Sequence, residues 1–273
     1  MTVDFRSMAW SHLSDAREAL KQHSPSTLRS AALSLRMSME ALTYERAKLY
    51  ADDLPAEEYE TWQPRKLMRI LLEIDPHADA TCGLSYGIEP SLGETPEKMT
   101  FLGTEIVLNL KTIKAHYDAF GSFLHVPTLK QINAGEVQDD AKLRERCEAC
   151  AAAIEACLAS PVWNVNFNHS CEIECVECGK TIRRRFRPGQ EARMVACHHC
   201  DCEYRMSETP EKQIHWDPLQ TKISCPNQDC DHAFYLLNKE VKAGTCWQCE
   251  GCGKPFILKL AIAPDPQAGV DAS

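Results

Sequence analysis

Leu28, Leu35, Leu42 and Leu49 recur every seven residues, with Ala32 and Met39 between them. That spacing predicts one apolar stripe along a long helix. Ser24-Pro25 precedes the stripe and Asp52-Asp53-Leu54-Pro55 follows it, so both ends are punctuated. An earlier helix is expected over Asp4 to Gln22. A shorter one begins near Pro64, carries Leu67, Ile70, Leu71 and Ile74, and stops at Asp75-Pro76. Residues 79–95 hold Gly83, Gly87, Pro90 and Gly93 and read as a long loop. Thr95-Pro96-Glu97 reads as a helix start, with a capping hydroxyl, proline in the first turn and an acid behind it. The helix expected from it carries Leu102, Ile106, Leu110, Ile113, Tyr117, Phe120 and Leu124, and ends at Val126-Pro127. A last helix, about 138–159, aligns Leu143, Cys147, Cys150, Ile154 and Cys157 until Ser160-Pro161 stops it.

After Pro161 the helical period disappears. Val162, Val165, Phe167 and Ile173 suggest short strands, and Pro210, Trp216 and Pro218 mark residues 204–222 as a bridge. The fold class expected is α+β. An N-terminal all-α bundle fills 1–160, a first small β ribbon 161–203, a linker and second ribbon 204–262, and a disordered tail 263–273.

Two four-cysteine sets occupy the two ribbons. The first is Cys175-x2-Cys178-x18-Cys197-x2-Cys200, and the second is Cys225-x4-Cys230-x18-Cys249-x2-Cys252. A thiolate pair can grip one face of a metal, and two pairs joined by a hairpin complete a tetrahedron. Two structural Zn2+ ions are therefore expected, with no ligand position left for chemistry. Gly179-Lys180 and Gly253-Lys254 fit tight turns beneath two of the pairs. With the repeats superposed, Cys246 falls opposite Met194, Cys202 opposite Lys254 and Cys171 opposite Thr221, so each of the three reads as a buried small apolar residue or a bystander. Cys246 remains a competitor of Cys252 through its own x2 spacing to Cys249. His169, His198, His199 and His232 are possible replacements for a thiolate. Cys147-x2-Cys150 resembles a pair, but it lies in the apolar stripe of its helix and reads as core.

Composition narrows the setting. The chain has 273 residues, 15 cysteines and a formal charge of −9. The paired spacing, the odd count and the lack of a signal-like pattern from Met1 to Asp15 point to ligation in a reducing cytoplasm rather than disulfides. No run reaches the apolar length of a membrane span. Each four-thiolate zinc centre adds about two negative charges, so diffuse attraction to nucleic acid is not expected.

One stretch runs against that charge. Between the first cysteine pairs lies Thr181-Ile182-Arg183-Arg184-Arg185-Phe186-Arg187, with Lys180 and Arg193 on either side. On a strand Arg183, Arg185 and Arg187 share one face, and Ile182, Arg184 and Phe186 the other. A guanidinium row suits phosphate contact. It equally suits an acidic protein, or plain solvation that offsets the anionic metal centre. In the second ribbon Phe234-Tyr235-Leu236-Leu237 fills the equivalent strand, which suits packing or protein contact.

No nucleophile elbow, phosphate-binding loop or metalloprotease motif occurs. The long helix reads Leu35-Arg36-Met37-Ser38-Met39-Glu40-Ala41-Leu42, and the later one ends Phe120-Gly121-Ser122-Phe123-Leu124-His125-Val126-Pro127. In these stretches and in helix order, residues 5–160 resemble the HEPN superfamily. The resemblance implies a helical bundle that pairs as a homodimer, a setting in prokaryotic defence or toxin–antitoxin systems, and in many members metal-independent ribonuclease activity from an Arg and a His. His125 matches the family histidine. The arginine position shows Tyr117-Asp118-Ala119, and no Arg lies between Arg69 and Arg144. Lys111-x4-His116 has the spacing with a different cation, and Arg6-x5-His12 and Arg17-x5-His23 lie on another helix. Without a guanidinium to hold the phosphate, catalysis is disfavoured.

The expectation is a non-enzymatic zinc-binding adaptor or nucleic-acid-binding protein. Nucleic acid would meet Lys180, Arg183, Arg185, Arg187 and Arg193, unless an acidic protein takes that face. The alternatives are a HEPN-type ribonuclease acting through His125, its ribbons delivering RNA, and a protein-interaction scaffold.

Overall fold

A computed structural model describes residues 3–54, 63–91, 94–126, 128–134, 139–165, 169–187 and 189–259. The expected tail, Pro127, Phe167 and the side chain of His169 lie outside the described residues. The chain divides into two compact units: Met1–Ser170 with Arg183–Phe186, and Cys171–Ile182 with Arg187–Ser273.

The first unit is built around one long helix. α1 (Phe5–Leu20) is capped by the Asp4 carboxylate, which accepts the Ser7 N–H at 2.9 Å. α2 (Pro25–Ala47) is capped by Ser24 and has Pro25 in its first turn. α3 spans Pro64–Ile74, α4 Leu110–Leu124, the short α5 Leu129–Asn133, and α6 Asp140–Leu158. α2 touches α1, α3, α4 and α6. Its predicted stripe does that work: Leu28, Leu35 and Met39 are buried, and Leu42 and Leu49 pack half-buried against the core. Cys147, Cys150 and Cys157 lie in the same core as expected. Burial pushes the Cys147 thiol up to about 12 and the Cys157 thiol to about 11, which keeps both neutral. None of the described helices is long and apolar enough to cross a membrane.

The expected helix from Thr95 does not form. Cys82–Tyr86 (β1) and Thr100–Glu105 (β2) make an antiparallel pair with a shift in register between Leu84 and Ser85, and α4 begins only at Leu110. Asn109 is the cap, its side chain accepting the Thr112 N–H at 2.8 Å. Leu102 and Ile106 mimic helical spacing, but Thr100, Phe101 and Thr104 favour extended backbone. Gly103 adopts a φ of 149°, and a Cβ there would stand 2.5 Å from Pro161 Cγ. β1 likewise replaces part of the loop expected at 79–95.

A buried ion pair fixes this arrangement. Arg46 Nη1 on α2 lies 3.2 Å from Glu105 Oε1 at the end of β2, with side chains 7% and 5% exposed. The rest of each group is engaged. Arg46 Nε donates to Ala78 O at 2.8 Å, and Glu105 accepts from the backbone N–H groups of Asn164 and Val165 at 2.6 and 3.1 Å. Asn164 takes a φ of 59°, so the residues after Pro161 turn here rather than forming the expected strand. Its side chain donates to Glu45 Oε1 at 3.0 Å.

The second unit consists of small antiparallel sheets. β3 (His169–Glu174) pairs with β4 (Thr181–Phe186), whose residues from Arg183 onward belong to the first unit. β5 (Arg193–Ala196), β6 (Glu203–Glu208) and β7 (Ile214–Pro218) form a three-stranded sheet in that order. β8 (Gln220–Ser224) pairs with β9 (Ala233–Leu237), and β10 (Cys246–Gln248) with β11 (Pro255–Ile257). The bridge expected at 204–222 is thus mostly strand. Tyr204 and Trp216 meet edge-on at 6.2 Å, so the aromatic residues there serve the sheet.

Glu105→Gln should leave the Arg46 charge buried without its counter-ion and cost the first unit about 3–5 kcal/mol. Urea titration followed by helical circular dichroism measures this; a loss under about 1 kcal/mol is what a solvated pair would give.

Candidate metal centres

Each sulfur is delivered by a tight turn. In the first turn Gly179 N–H donates to Cys175 O at 2.9 Å, Cys175 N–H donates to Lys180 O at 2.9 Å, and Gly179 takes a φ of 68°. The third pair of this kind repeats it, with Gly253 N–H to Cys249 O at 2.7 Å, Cys249 N–H to Lys254 O at 3.0 Å, and Gly253 also at 68°. Between them, Cys197 N–H reaches Cys202 O at 2.9 Å, and Asp201 supplies the left-handed position at 57°. Cys202 therefore occupies the place of Lys254, which is why it is buried yet no ligand. The longer Cys225–Cys230 turn closes differently, through Cys225 N–H to His232 O at 2.8 Å and Cys230 N–H to Asn227 O at 3.0 Å.

These turns gather Cys175, Cys178, Cys197 and Cys200 in one group and Cys225, Cys230, Cys249 and Cys252 in another, all ligand sulfurs of a group lying within 4.8 Å. Cys175–Cys200 and Cys178–Cys197 are 3.6 and 3.7 Å apart at sulfur; Cys225–Cys252 and Cys230–Cys249 are both 3.8 Å. A tetrahedral zinc with bonds of about 2.3 Å needs edges of about 3.8 Å, so the geometry fits that ion. The separations are far from a disulfide bond of about 2.05 Å, and no cysteine is oxidised. Neither Cys246, which is exposed, nor His198, His199 or His232 joins a group.

Burial, hydrogen bonds and neighbouring sulfurs shift the thiols in opposite directions. Burial raises Cys175, but the hydrogen bond from Tyr204 and those from the Cys178 and Glu177 N–H groups outweigh it, lowering it to about 6. Cys200 is pushed up to about 12 by burial and by its three sulfur neighbours. The second group splits the same way. Cys249 falls to about 6, burial there being outweighed by the Cys252 and Gly251 N–H groups, and Cys225 rises to about 12 chiefly by burial. Four negative sulfurs need a cation; without one, most must keep their protons.

Residues outside the spacing pattern support the sites. Tyr204, fully buried, donates its hydroxyl to Cys175 Sγ at 3.4 Å and accepts the Val176 N–H at 2.8 Å. Gly251 sits where a Cβ would come within 2.7 Å of His232 Cβ and 3.1 Å of Cys230 Sγ. Neither follows from the cysteine spacing, because Tyr204 and Gly251 act on sulfurs that other turns supply.

The arginine strand has the predicted faces: Ile182, Arg184 and Phe186 are buried, Arg183 and Arg185 half-buried, and Arg187 exposed. Within the first unit Arg183 and Arg185 meet the turn after α2. Arg185 Nε donates to Asp53 Oδ2 at 2.7 Å, its guanidinium lies 4.4 Å over the Tyr50 ring, and its Nη2 reaches Leu49 O. Arg183 donates to Asp52 O at 2.5 Å. Lys180, Arg187 and Arg193 belong to the second unit.

His125 is the exposed residue that ends α4. His116 is half-buried against Phe120, and burial lowers its pKa, with Arg146 adding to the effect. Arg36 and Glu40, quoted above for the HEPN-like helix, both engage Tyr117 of α4. Arg36 lies 4.0 Å over its ring, and Glu40 accepts its hydroxyl at 2.7 Å. A small cavity of about 40 Å³ lies beside Arg6, Glu45, Arg46, Glu105, Trp163 and Asn164. Its charges are spent on one another and on backbone, as described for Arg46 and Glu105.

Zinc analysis of the full chain should give close to two ions, and strong chelation should melt the second unit while helical signal persists. One ion, or an iron colour, would overturn the assignment. Arg185→Ala should cost the first unit about 2 kcal/mol with both zincs retained, read by urea titration and metal analysis together. No protein-family model, characterised protein or solved structure matches this chain, so its own geometry has to carry any functional reading.

Proposed function

We propose that this chain is a non-enzymatic adaptor, a helical unit joined to β ribbons held by two structural zinc ions, that works by contact with another protein. The observation that carries this reading is the closure of both sulfur groups. Four protein ligands per site leave no position for a water or substrate, so the metals shape a surface rather than activate a molecule. The first unit offers a fitting surface. Tyr86, Ile88, Met99 and Phe101, on or beside the β1–β2 hairpin, are 53%, 87%, 54% and 64% exposed.

Nucleic-acid binding is the weaker reading because Arg183 and Arg185, two of the three arginines in the predicted row, engage the Asp52-Asp53 turn. Lys180, Arg187 and Arg193 stay as candidate phosphate contacts. The HEPN-type ribonuclease reading needs an arginine for His125 that the sequence of α4 does not provide. A role in prokaryotic defence and a homodimer through the helices rest on the HEPN resemblance, a cytoplasmic setting on the paired cysteine spacing, and all three belong to this proposal.

The native protein, purified at low salt, should bring down a stoichiometric protein partner that Ile88→Glu with Phe101→Glu releases. The same preparation should neither cleave RNA nor bind single- or double-stranded oligonucleotides. Oligonucleotide binding that falls steeply with salt, and that Arg187→Ala with Arg193→Ala weakens, would replace this reading with the nucleic-acid one. Cleavage abolished by His125→Ala would replace it with the ribonuclease.

A further inference from the structure

We infer that Lys239 is a positioning residue that couples the two metal centres, so that loading the second strengthens the hold of the first. This rests on reading both cysteine groups as metal sites. Lys239 lies in the second ribbon, on the 3-10 turn Asn238–Glu240 that follows β9. Its ammonium leaves that ribbon and grips the first centre. Nζ donates to Cys200 O at 3.1 Å and pairs with Glu177 Oε1 at 3.1 Å. Glu177 stands between Cys175 and Cys178, and Cys200 is itself a ligand. One cation thus ties the two turns of the first centre together, from outside its sulfur shell. It also places a positive charge beside an assembly that carries about two net negative charges.

The turn that carries Lys239 is fastened to the β8–β9 hairpin, Asn238 N–H donating to Leu219 O at 3.0 Å and Thr221 Oγ1 to Asn238 Oδ1 at 3.0 Å, and the loop of that hairpin supplies two sulfurs of the second centre. The Cys225–Cys230 turn joins β8 to β9, and the 3-10 turn begins at the residue after β9 ends. Its far side is fastened by the second hairpin: Thr245 Oγ1 donates to Glu240 O at 2.5 Å, and Thr245 O and Leu258 N–H close that hairpin at 2.8 Å. β8–β9 and β10–β11 are separate two-stranded sheets, too small to hold each other without an ion. When the second ion leaves, the two sides of the turn lose their common anchor. Lys239 then loses the fixed position from which it reaches Cys200 and Glu177. Coupling of this kind is reciprocal, so an empty first centre weakens the second as well.

Peptide-resolved alkylation tests this in the full-length protein. The chain is loaded with Zn2+, challenged with EDTA, and the modification rate of each ligand cysteine is followed by mass spectrometry. Lys239→Met should speed alkylation of Cys175, Cys178, Cys197 and Cys200 by about tenfold or more. Glu177→Gln, which leaves the second ribbon untouched, should do the same, and the two together should add nothing. Cys249→Ser opens the second centre and should accelerate the first group by a similar factor, again with no further gain from Lys239→Met. Unchanged protection of the first group in Lys239→Met, or factors that multiply when combined, would overturn the coupling while leaving two metal sites. Wild-type protein with no zinc-dependent protection of either group would remove the metal reading itself and the coupling with it.

Discussion

Four sulfurs held within a few ångströms cannot all be anions unless a cation sits among them, and the second unit depends on that constraint. Its sheets have two or three strands and a thin core. Hairpins of that size do not persist alone in water. Each tight turn presents its sulfurs by spending backbone hydrogen bonds on its own closure, and each needs a left-handed residue or two extra residues to do so. Cys175 and Cys200 are shifted in opposite directions, the first lowered, against burial, by Tyr204 and two backbone N–H groups, the second raised by burial and its sulfur neighbours. A divalent ion held by either group would turn that conflict into strong bonds.

A four-thiolate zinc centre would carry surplus negative charge. Beside the first sulfur group Lys239 supplies a cation, bound to Cys200 O and Glu177. Arg183 and Arg185 look from the sequence as though they belong to the same task, since they lie between the metal-binding turns. Instead they reach Asp52, Asp53 and Tyr50. A planar guanidinium can satisfy a carboxylate, a carbonyl and an aromatic face together, which a lysine cannot. The side chains that looked most available for an external anion are therefore the ones most firmly committed within the chain.

What the sequence made legible follows from how far each determinant reaches. The eight cysteines could be read because each turn is local and the x18 hairpin repeats. α1, α2, α3 and α6 could be read because an apolar stripe and its caps lie within one segment. The β1–β2 hairpin was missed because Leu102 and Ile106 fall at helical spacing, whereas the forces that favour strand come from Pro161 against Gly103 and from Arg46 against Glu105. The partners of Arg183 and Arg185 lie more than a hundred residues upstream in the chain. Tyr204 is 29 residues from Cys175, and Lys239 is 39 from Cys200. Periodicity carries no information about contacts of that range.

The Arg46–Glu105 pair shows what such long-range contacts do for the fold. By itself a buried ion pair adds little net stability, because desolvation offsets most of the attraction. Here Glu105 also accepts two backbone N–H groups from the segment after α6, and Arg46 also binds a carbonyl before β1. The pair therefore fixes direction more than it adds energy: it sets where the hairpin leaves the bundle and how the chain turns beyond Pro161. An apolar replacement could fill the same space without choosing either path. The hairpin whose Tyr86 and Phe101 stay exposed is thus held in place by charges at its buried end.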